Sequence, residues 1–345
     1  MSLYSADVRI ASPDMGRVLL NRARDKCDPL LRKAVGWLGE PLATMAGYHL
    51  GWWDVNGSGC GVSSGKSLRA ALVLGTALAC GDDSTAAPAA AAVELMHNFS
   101  LLHDDVMDRD ATRRGRPAVW AVWGDASAIV LGDALHALAG RVLAEFLELA
   151  ATLSAVARLE SSCVTLCIGQ FEDCDFETRP AVTVDEYLHM AAGKTAGLMG
   201  CACALGALSA GADNSTVSAM EQFGYQLGLA FQIVDDLIGI WGNPSVTGKP
   251  VGNDLARRKA TLPVVAALNS GCDAAAELAQ LYWSAAPMTP VEIGRATRLV
   301  EAAGGRRAAR LYADDCIRAA MMALPDPGRS AELIALAQLV VGRDS

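Results

Sequence analysis

No segment of this 345-residue chain is a lysine and arginine run, and 38 acidic against 29 basic residues leave a formal net charge of −9. A chain of that sign repels a phosphate backbone, which excludes general nucleic-acid binding. No N-terminal segment joins a basic start to a continuous apolar stretch, so no secretory signal is expected. No uncharged apolar run reaches the ~20 residues of a membrane span. The best candidate, Ala196 to Ala212, is shorter and is diluted by Gly197, Gly200, Gly206 and Gly211, so a buried helix is expected there and no transmembrane segment. The 10 cysteines contain no CxxC pair and no zinc-like spacing. Cys163, Cys167, Cys201 and Cys203 lie in apolar runs, where a thiol packs as a small hydrophobe. Reduced thiols and a cytoplasmic location follow. Alternating β-branched runs are few, which argues against sheet, and neither a repeat nor a shift in composition marks a domain boundary.

What is present is apolar and helix-forming. Hydrophobic residues make up 52% of the chain against 19% charged, with a mean hydropathy of +0.25 and alanine prominent. Apolar residues recur at three- and four-residue spacing, predicting helices over about 12–35, 66–80, 87–108, 125–150, 152–175, 183–210, 215–241, 255–270, 273–285, 290–304, 305–324 and 330–342. The fold expected is all-α, a single large helical bundle spanning residues 1–345. Two irregular stretches interrupt it, Gly51 to Gly65 and Gly242 to Asn253, and long loops in compact chains are often functional.

Two acidic clusters interrupt apolar helical segments: Leu101-Leu102-His103-Asp104-Asp105-Val106-Met107-Asp108 and Phe231-Gln232-Ile233-Val234-Asp235-Asp236. Adjacent carboxylates in an apolar run are costly to desolvate and call for a compensating cation. Oxygen-only donors suit hard ions, and Mg2+ in particular takes one or two carboxylates completed by water and phosphate oxygens. Asp104 and Asp108 lie one turn apart on one helix face, so both can reach metal held against one ligand. Lys and Arg scattered around these acids are what a polyphosphate bridged to the metal would need.

From about Gly65 to Pro263 the order of motifs resembles the trans-isoprenyl diphosphate synthases, the short-chain head-to-tail prenyltransferases. The resemblance implies an α-helical fold around a central cavity, a homodimer, and Mg2+-dependent joining of an allylic diphosphate to isopentenyl diphosphate. Asp104-Asp105-x-x-Asp108 matches the first acidic motif in full. The resemblance makes Asp104 and Asp108 ligands of two Mg2+, with Asp105 in support. The second motif keeps Asp235 and Asp236 but has Gly239 at its third acidic position. Asp235 is implied as the ligand of a third Mg2+, with Asp236 beside it, and Gly239 implies a weaker hold on that ion.

The same resemblance assigns Lys66, Arg69, His97 and Arg114 to isopentenyl diphosphate, and Arg113, Lys194, Lys249 and Lys259 to the allylic diphosphate. Around Lys66 the motif is imperfect, with Ser64 where the family has Gly and Ala70 where it has Pro. Thr195 and Gln232, next to Lys194, are implied to turn oxygen atoms toward the allylic cation that forms when diphosphate leaves. Gly169-Gln170-x-x-Asp173 matches a further family motif, and His103 is read as structural.

Product length depends on what blocks the growing tail below Asp104. A helix rises about 1.5 Å per residue, so Ser100, Phe99 and Met96 line successive depths. An aromatic five before Asp104 with a small residue four before resembles the geranylgeranyl (C20) pattern, with farnesyl (C15) next. Two rivals remain. A class I terpene cyclase needs Ser or Thr four residues and Glu eight residues after its second metal motif, but Arg257 and Thr261 occupy those places after Asn253. A non-catalytic partner subunit would suit Gly239 but not the intact first motif.

Overall fold

In a computed structural model of the chain the described residues are 13–60, 65, 67–179, 181–242, 252–284 and 286–342. In chain order the helices are α1 (Pro13–Val35), α2 (Leu42–His49), α3 (Leu68–Cys80), α4 (Ala87–Met107), α5 (Val119–Trp123), α6 (Asp125–Phe146), α7 (Leu149–Phe176) and α8 (Val184–Ala191). A π-helical turn (Ala192–Ala196) leads into α9 (Gly197–Ser209). Then come α10 (Asn214–Trp241), α11 (Asn253–Ala256), α12 (Leu262–Leu268), α13 (Asp273–Tyr282), α14 (Pro290–Ala302), α15 (Gly305–Ala323) and α16 (Ala331–Val341). The all-α expectation holds. The one sheet among the described residues is a hairpin of β1 (Thr112–Arg113) and β2 (Arg116–Pro117), with Arg113 opposite Arg116.

Sequence periodicity located the long helices, and local chemistry explains the departures. The expected 255–270 helix is two pieces, because Arg258 takes a left-handed φ of 52° and Pro263 can sit only in the first turn of a new helix. Thr183 starts α8 as a capping box: its side chain accepts from the Glu186 N–H, and Glu186 in turn accepts from the Thr183 N–H.

The chain divides into two compact units. The first comprises residues 1–163, 198–224 and 324–336, and the second 164–197, 225–323 and 337–345. In the first, α4 packs against α1, α3 and α6. Ala89, Ala90, Ala91 and Ala92 are all fully buried, so small side chains let neighbours close in around α4. The second has its core between α8, α10, α12 and α15, where Tyr187, Met190, Leu229, Ile233, Leu237, Leu262 and Val265 are buried together. A satellite core joins Ile240 of α10 to Leu255, Val264, Leu278 and Val300.

Three helical segments are long and apolar enough to cross a membrane by length and composition alone. In Val184–Ser209, 78% of the apolar window is buried inside the protein, against 44% in Asp125–Phe146 and 33% in Ala151–Phe176. The first value fits the buried helix expected near Ala196; the other two leave apolar faces of α6 and α7 uncovered.

Candidate active site

In the first unit α4 brings the first acidic motif out of the core at its C-terminal end. Asp108 is the C-cap, and its N–H donates to the Asp104 carbonyl at 2.8 Å. Asp104 and Asp108 are partly exposed, whereas Asp105 between them is buried. Carboxylates at this end meet the negative pole of the helix dipole, which costs roughly 0.3–1 kcal/mol each. Arg113 offsets the inward one: its Nε donates to Asp105 Oδ1 at 2.9 Å, and Nη2 donates to the same oxygen. Burial pushes the Asp105 carboxyl up, and the Arg113 guanidinium pulls against that rise.

The hairpin aims the next guanidinium elsewhere. Arg114 and Gly115 both have positive φ, 54° and 74°, the signature of a type I′ two-residue turn. Arg114 donates through Nη1 to the His49 carbonyl at 3.2 Å and through Nη2 to Asn98 Oδ1 at 3.4 Å. Arg69 Nη1 and His97 Nε2 are 3.1 Å apart, and since guanidinium has no acceptor, Arg69 donates. His97 must then be unprotonated at Nε2. Burial, with the charges of Arg69, Arg114 and Arg113, pushes its pKa well below the usual value and keeps it neutral. His49 is pushed to about 3, by burial first and then Arg114 and Arg113. The buried Glu94 accepts from the Ala70 N–H at 3.1 Å. Three guanidiniums beside two buried carboxylates make a positive pocket.

Further back on α4, Met96 is fully buried and Phe99 nearly so. The Phe99 ring stacks on His136 at 5.3 Å and meets His103 edge-on at 4.8 Å. Both imidazoles are anchored, His103 Nε2–H to the Ile129 carbonyl at 3.0 Å and His136 Nε2 to Glu160 Oε2 at 2.7 Å. Ser100 turns its hydroxyl back onto the His97 carbonyl at 2.9 Å.

In the second unit α10 carries Asp235 partly exposed and Asp236 buried. Both Asp236 oxygens are occupied: Oδ2 accepts from the Tyr187 hydroxyl at 2.5 Å and the Leu262 N–H at 2.8 Å, and Oδ1 from Gln232 Nε2 at 3.0 Å. Asp236 therefore ties α8, α10 and α12 together. Burial raises its pKa to about 7 against those donors, and the Asp254 charge adds to the rise. Thr195 Oγ1 donates to Gln232 Oε1 at 2.7 Å, so the amide is held at both ends.

Lys194 lies in the π-helical turn, and such turns cluster at functional sites. Its ammonium donates to Asp173 Oδ2 of α7. Two glycines permit the approach. A Cβ at Gly169 would stand 2.3 Å from the Lys194 backbone nitrogen, and one at Gly193 2.8 Å from the Thr165 carbonyl oxygen. Gln170 is buried beside them. Lys259 is partly exposed, and its backbone N–H donates to the Asp254 carbonyl at 2.9 Å. Lys66 and Lys249 lie outside the described residues.

The structure thus gathers Arg69, His97, Arg113 and Arg114 with Asp104, Asp105 and Asp108 in one unit, and Lys194, Thr195 and Gln232 with Asp235 and Asp236 in the other. Sequence reasoning missed Glu94, Asn98, His49 and Tyr187. Tyr187 carried one signal, a hydroxyl-tipped aromatic on an apolar helical face, whose buried oxygen must find a partner.

A family model described as polyprenyl synthetase matches residues 60–296. Geranylgeranyl diphosphate synthase of Mycobacterium tuberculosis is 61% identical over 345 residues, covering 100% of this chain and 99% of that one. A (2E,6E)-farnesyl diphosphate synthase of Mycobacterium bovis is 42% identical over 340 residues, 95% of this chain and 93% of the relative. The crystal structure of a polyprenyl synthetase from Streptomyces coelicolor A3(2) is similar with a TM-score of 0.89 at 42% identity, covering 94% of this chain and 99% of that one.

Proposed function

The chain belongs to the polyprenyl synthetase family, and on that premise we propose that it condenses isopentenyl diphosphate head-to-tail with an allylic diphosphate to give geranylgeranyl diphosphate. One observation carries the reading. On α4 the inward carboxylate is occupied by Arg113 while Asp104 and Asp108 stay partly exposed on one face, in the unit that also holds the half-buried cations Arg69, Arg113 and Arg114.

That division fits Mg2+, because hard oxygen donors are held at the surface while Arg113 takes the Oδ1 of their buried neighbour Asp105. Asp104 and Asp108 would hold Mg2+ in the first unit and Asp235 a further ion in the second, three in all. Bound there, the metal neutralises charge developing on the departing diphosphate. The cations assigned to that leaving group are Arg113 in the first unit and, in the second, Lys249, Lys259 and Lys194, which Asp173 holds. Thr195 and Gln232 turn oxygen lone pairs toward the allylic carbons and stabilise the cation. Asp236 holds Gln232 in that orientation. Lys66, Arg69, His97 and Arg114 bind isopentenyl diphosphate. With Nε2 accepting from Arg69, neutral His97 carries its proton on Nδ1 as a phosphate donor. The isopentenyl double bond attacks the cation, and a proton is then lost to the departing diphosphate.

Phe99, clamped between two imidazoles, is the block that stops elongation at C20, with Met96 deeper and Ser100 above. The 61% identity to a geranylgeranyl synthase, against 42% to a farnesyl synthase, supports C20 over C15. A second copy of the chain is the proposed cover for the apolar face of α7. Leu153, Val164, Ile168 and Phe171 are all exposed there, at spacings that keep them on one stripe.

The test is incubation of purified protein with Mg2+, isopentenyl diphosphate and dimethylallyl, geranyl or farnesyl diphosphate, followed by chromatography. Geranylgeranyl diphosphate from each starter is expected. Hydrocarbon from an allylic substrate alone would mean a cyclase, and no product from any pair a partner subunit. Light scattering after gel filtration should give twice the 36.0 kDa chain mass.

A further inference from the structure

His136 backs the Phe99 ring, and its own hydrogen bond leads to a second cluster outside the diphosphate site. His136 Nε2 and Glu160 Oε2 are 2.7 Å apart. Cys163 Sγ joins them, the three donor atoms all falling within 4.8 Å of one another. All three residues belong to the first unit. His136 comes from α6, while Glu160 and Cys163 come from α7, three residues apart and so on one side of that helix. Because the donors are split between two helices, no zinc-like spacing shows along the chain.

The donor set is selective. A thiolate, an imidazole and a carboxylate suit a borderline transition ion such as Zn2+, whereas Mg2+ takes carboxylate and water oxygens. Three protein ligands with a fourth place left to water is a recurrent zinc arrangement. Tetrahedral bonds of about 2.0–2.3 Å set the donor atoms roughly 3.3–3.6 Å apart. The separations here, 2.7 Å for the closest pair and within 4.8 Å for the rest, bracket that range.

The surroundings favour an ion too. The His136 and Glu160 side chains are 35% and 42% exposed, which leaves an entry path, while Cys163 is buried. Stacking on Phe99 sets the plane of the imidazole. Glu160 Oε1 lies 3.8 Å from where a Cβ of Gly140 would stand, so the carboxylate lies over α6 one turn beyond His136. Glu160 also stands four residues before Val164, on the exposed apolar stripe of α7. A bare carboxylate on such a stripe is costly to cover. A divalent ion with one thiolate, one carboxylate and a neutral imidazole carries no net charge.

We propose that His136, Glu160 and Cys163 bind one Zn2+-class ion that pins α6 to α7, separate from the Mg2+ of the acidic motifs. The Cys163 thiol gives its proton to solvent as the sulfur binds, and the ion takes the place of the hydrogen bond between His136 and Glu160.

The test uses the full chain, cleared of metal by a chelator and titrated with Co2+ in excess Mg2+. Co2+ stands in for Zn2+, since a thiolate ligand gives it a near-ultraviolet charge-transfer band that the all-oxygen acidic motifs cannot. One band-forming Co2+ per chain is expected, with the band bleached by added Zn2+. Cys163→Ala should abolish the band, and Cys167→Ala, which removes an exposed thiol one turn along α7, should keep it. Glu160→Gln should weaken the band-forming Co2+ about 10-fold or more with an unchanged far-ultraviolet circular dichroism spectrum, and this arm stands even where Cys163→Ala fails to fold. No band in the wild type, a band that persists in Cys163→Ala, or wild-type Co2+ affinity in Glu160→Gln overturns the proposal.

Discussion

The two acidic turns share a plan and differ in how the inward acid is neutralised. On α4, Asp105 is buried against a guanidinium; on α10, Asp236 is buried against a phenol, an amide and a backbone N–H. A cation keeps its partner ionised at the cost of desolvating two charges. Neutral donors leave the carboxyl titrating near neutrality, about 7 for Asp236. In the first unit the brace is electrostatic; in the second it is a hydrogen-bonded lock between helices.

The comparison can be broken first at its outward members. Asp104→Ala should lower kcat by about 10^2-fold or more, because charge stabilisation at the leaving group is lost; a radiolabelled isopentenyl diphosphate assay measures it. Next is the ionic brace. Arg113→Met strands a buried carboxylate and should cost about 3 kcal/mol in urea unfolding, whereas Tyr187→Phe removes a single neutral donor and should cost about 1 kcal/mol. Equal losses would erase the distinction between the two turns.

The titrating brace gives a pH signature. Native Asp236 keeps a proton up to about pH 7 that the unfolded chain releases above its ordinary value of 3.8. Its contribution to stability is therefore full below that lower pH and is lost as pH rises through about 7. Asp236→Asn cannot titrate, so its metal-free melting temperature relative to wild type should climb between about pH 4 and pH 7.5. A flat difference across that window would show that Asp236 is ionised throughout. The smallest expected effect lies away from both turns. Phe99→Ala should leave turnover within a few-fold and lengthen the product beyond C20; an unchanged profile by chromatography would remove Phe99 as the block.

Much of this was readable in the sequence because it is periodic or local. The three- and four-residue apolar spacing gave the long helices, and the Asp104–Asp108 spacing gave a shared face directly. What was not readable depends on contacts distant in sequence. Tyr187 reaches Asp236 across 49 residues, and no local pattern distinguishes an aspartate locked in the core from one facing out. The short helix α2, between Pro41 and Leu50, carries too few turns to show a period.

The meeting of Gly169 with Gly193 sets Lys194 by main chain against main chain, with no intervening side chain to wear or repack. Mutational drift in the apolar residues nearby can then proceed without dragging that ammonium along. A library aimed at altered product length can vary Met96, Phe99 and Ser100, provided those two bare positions are never randomised.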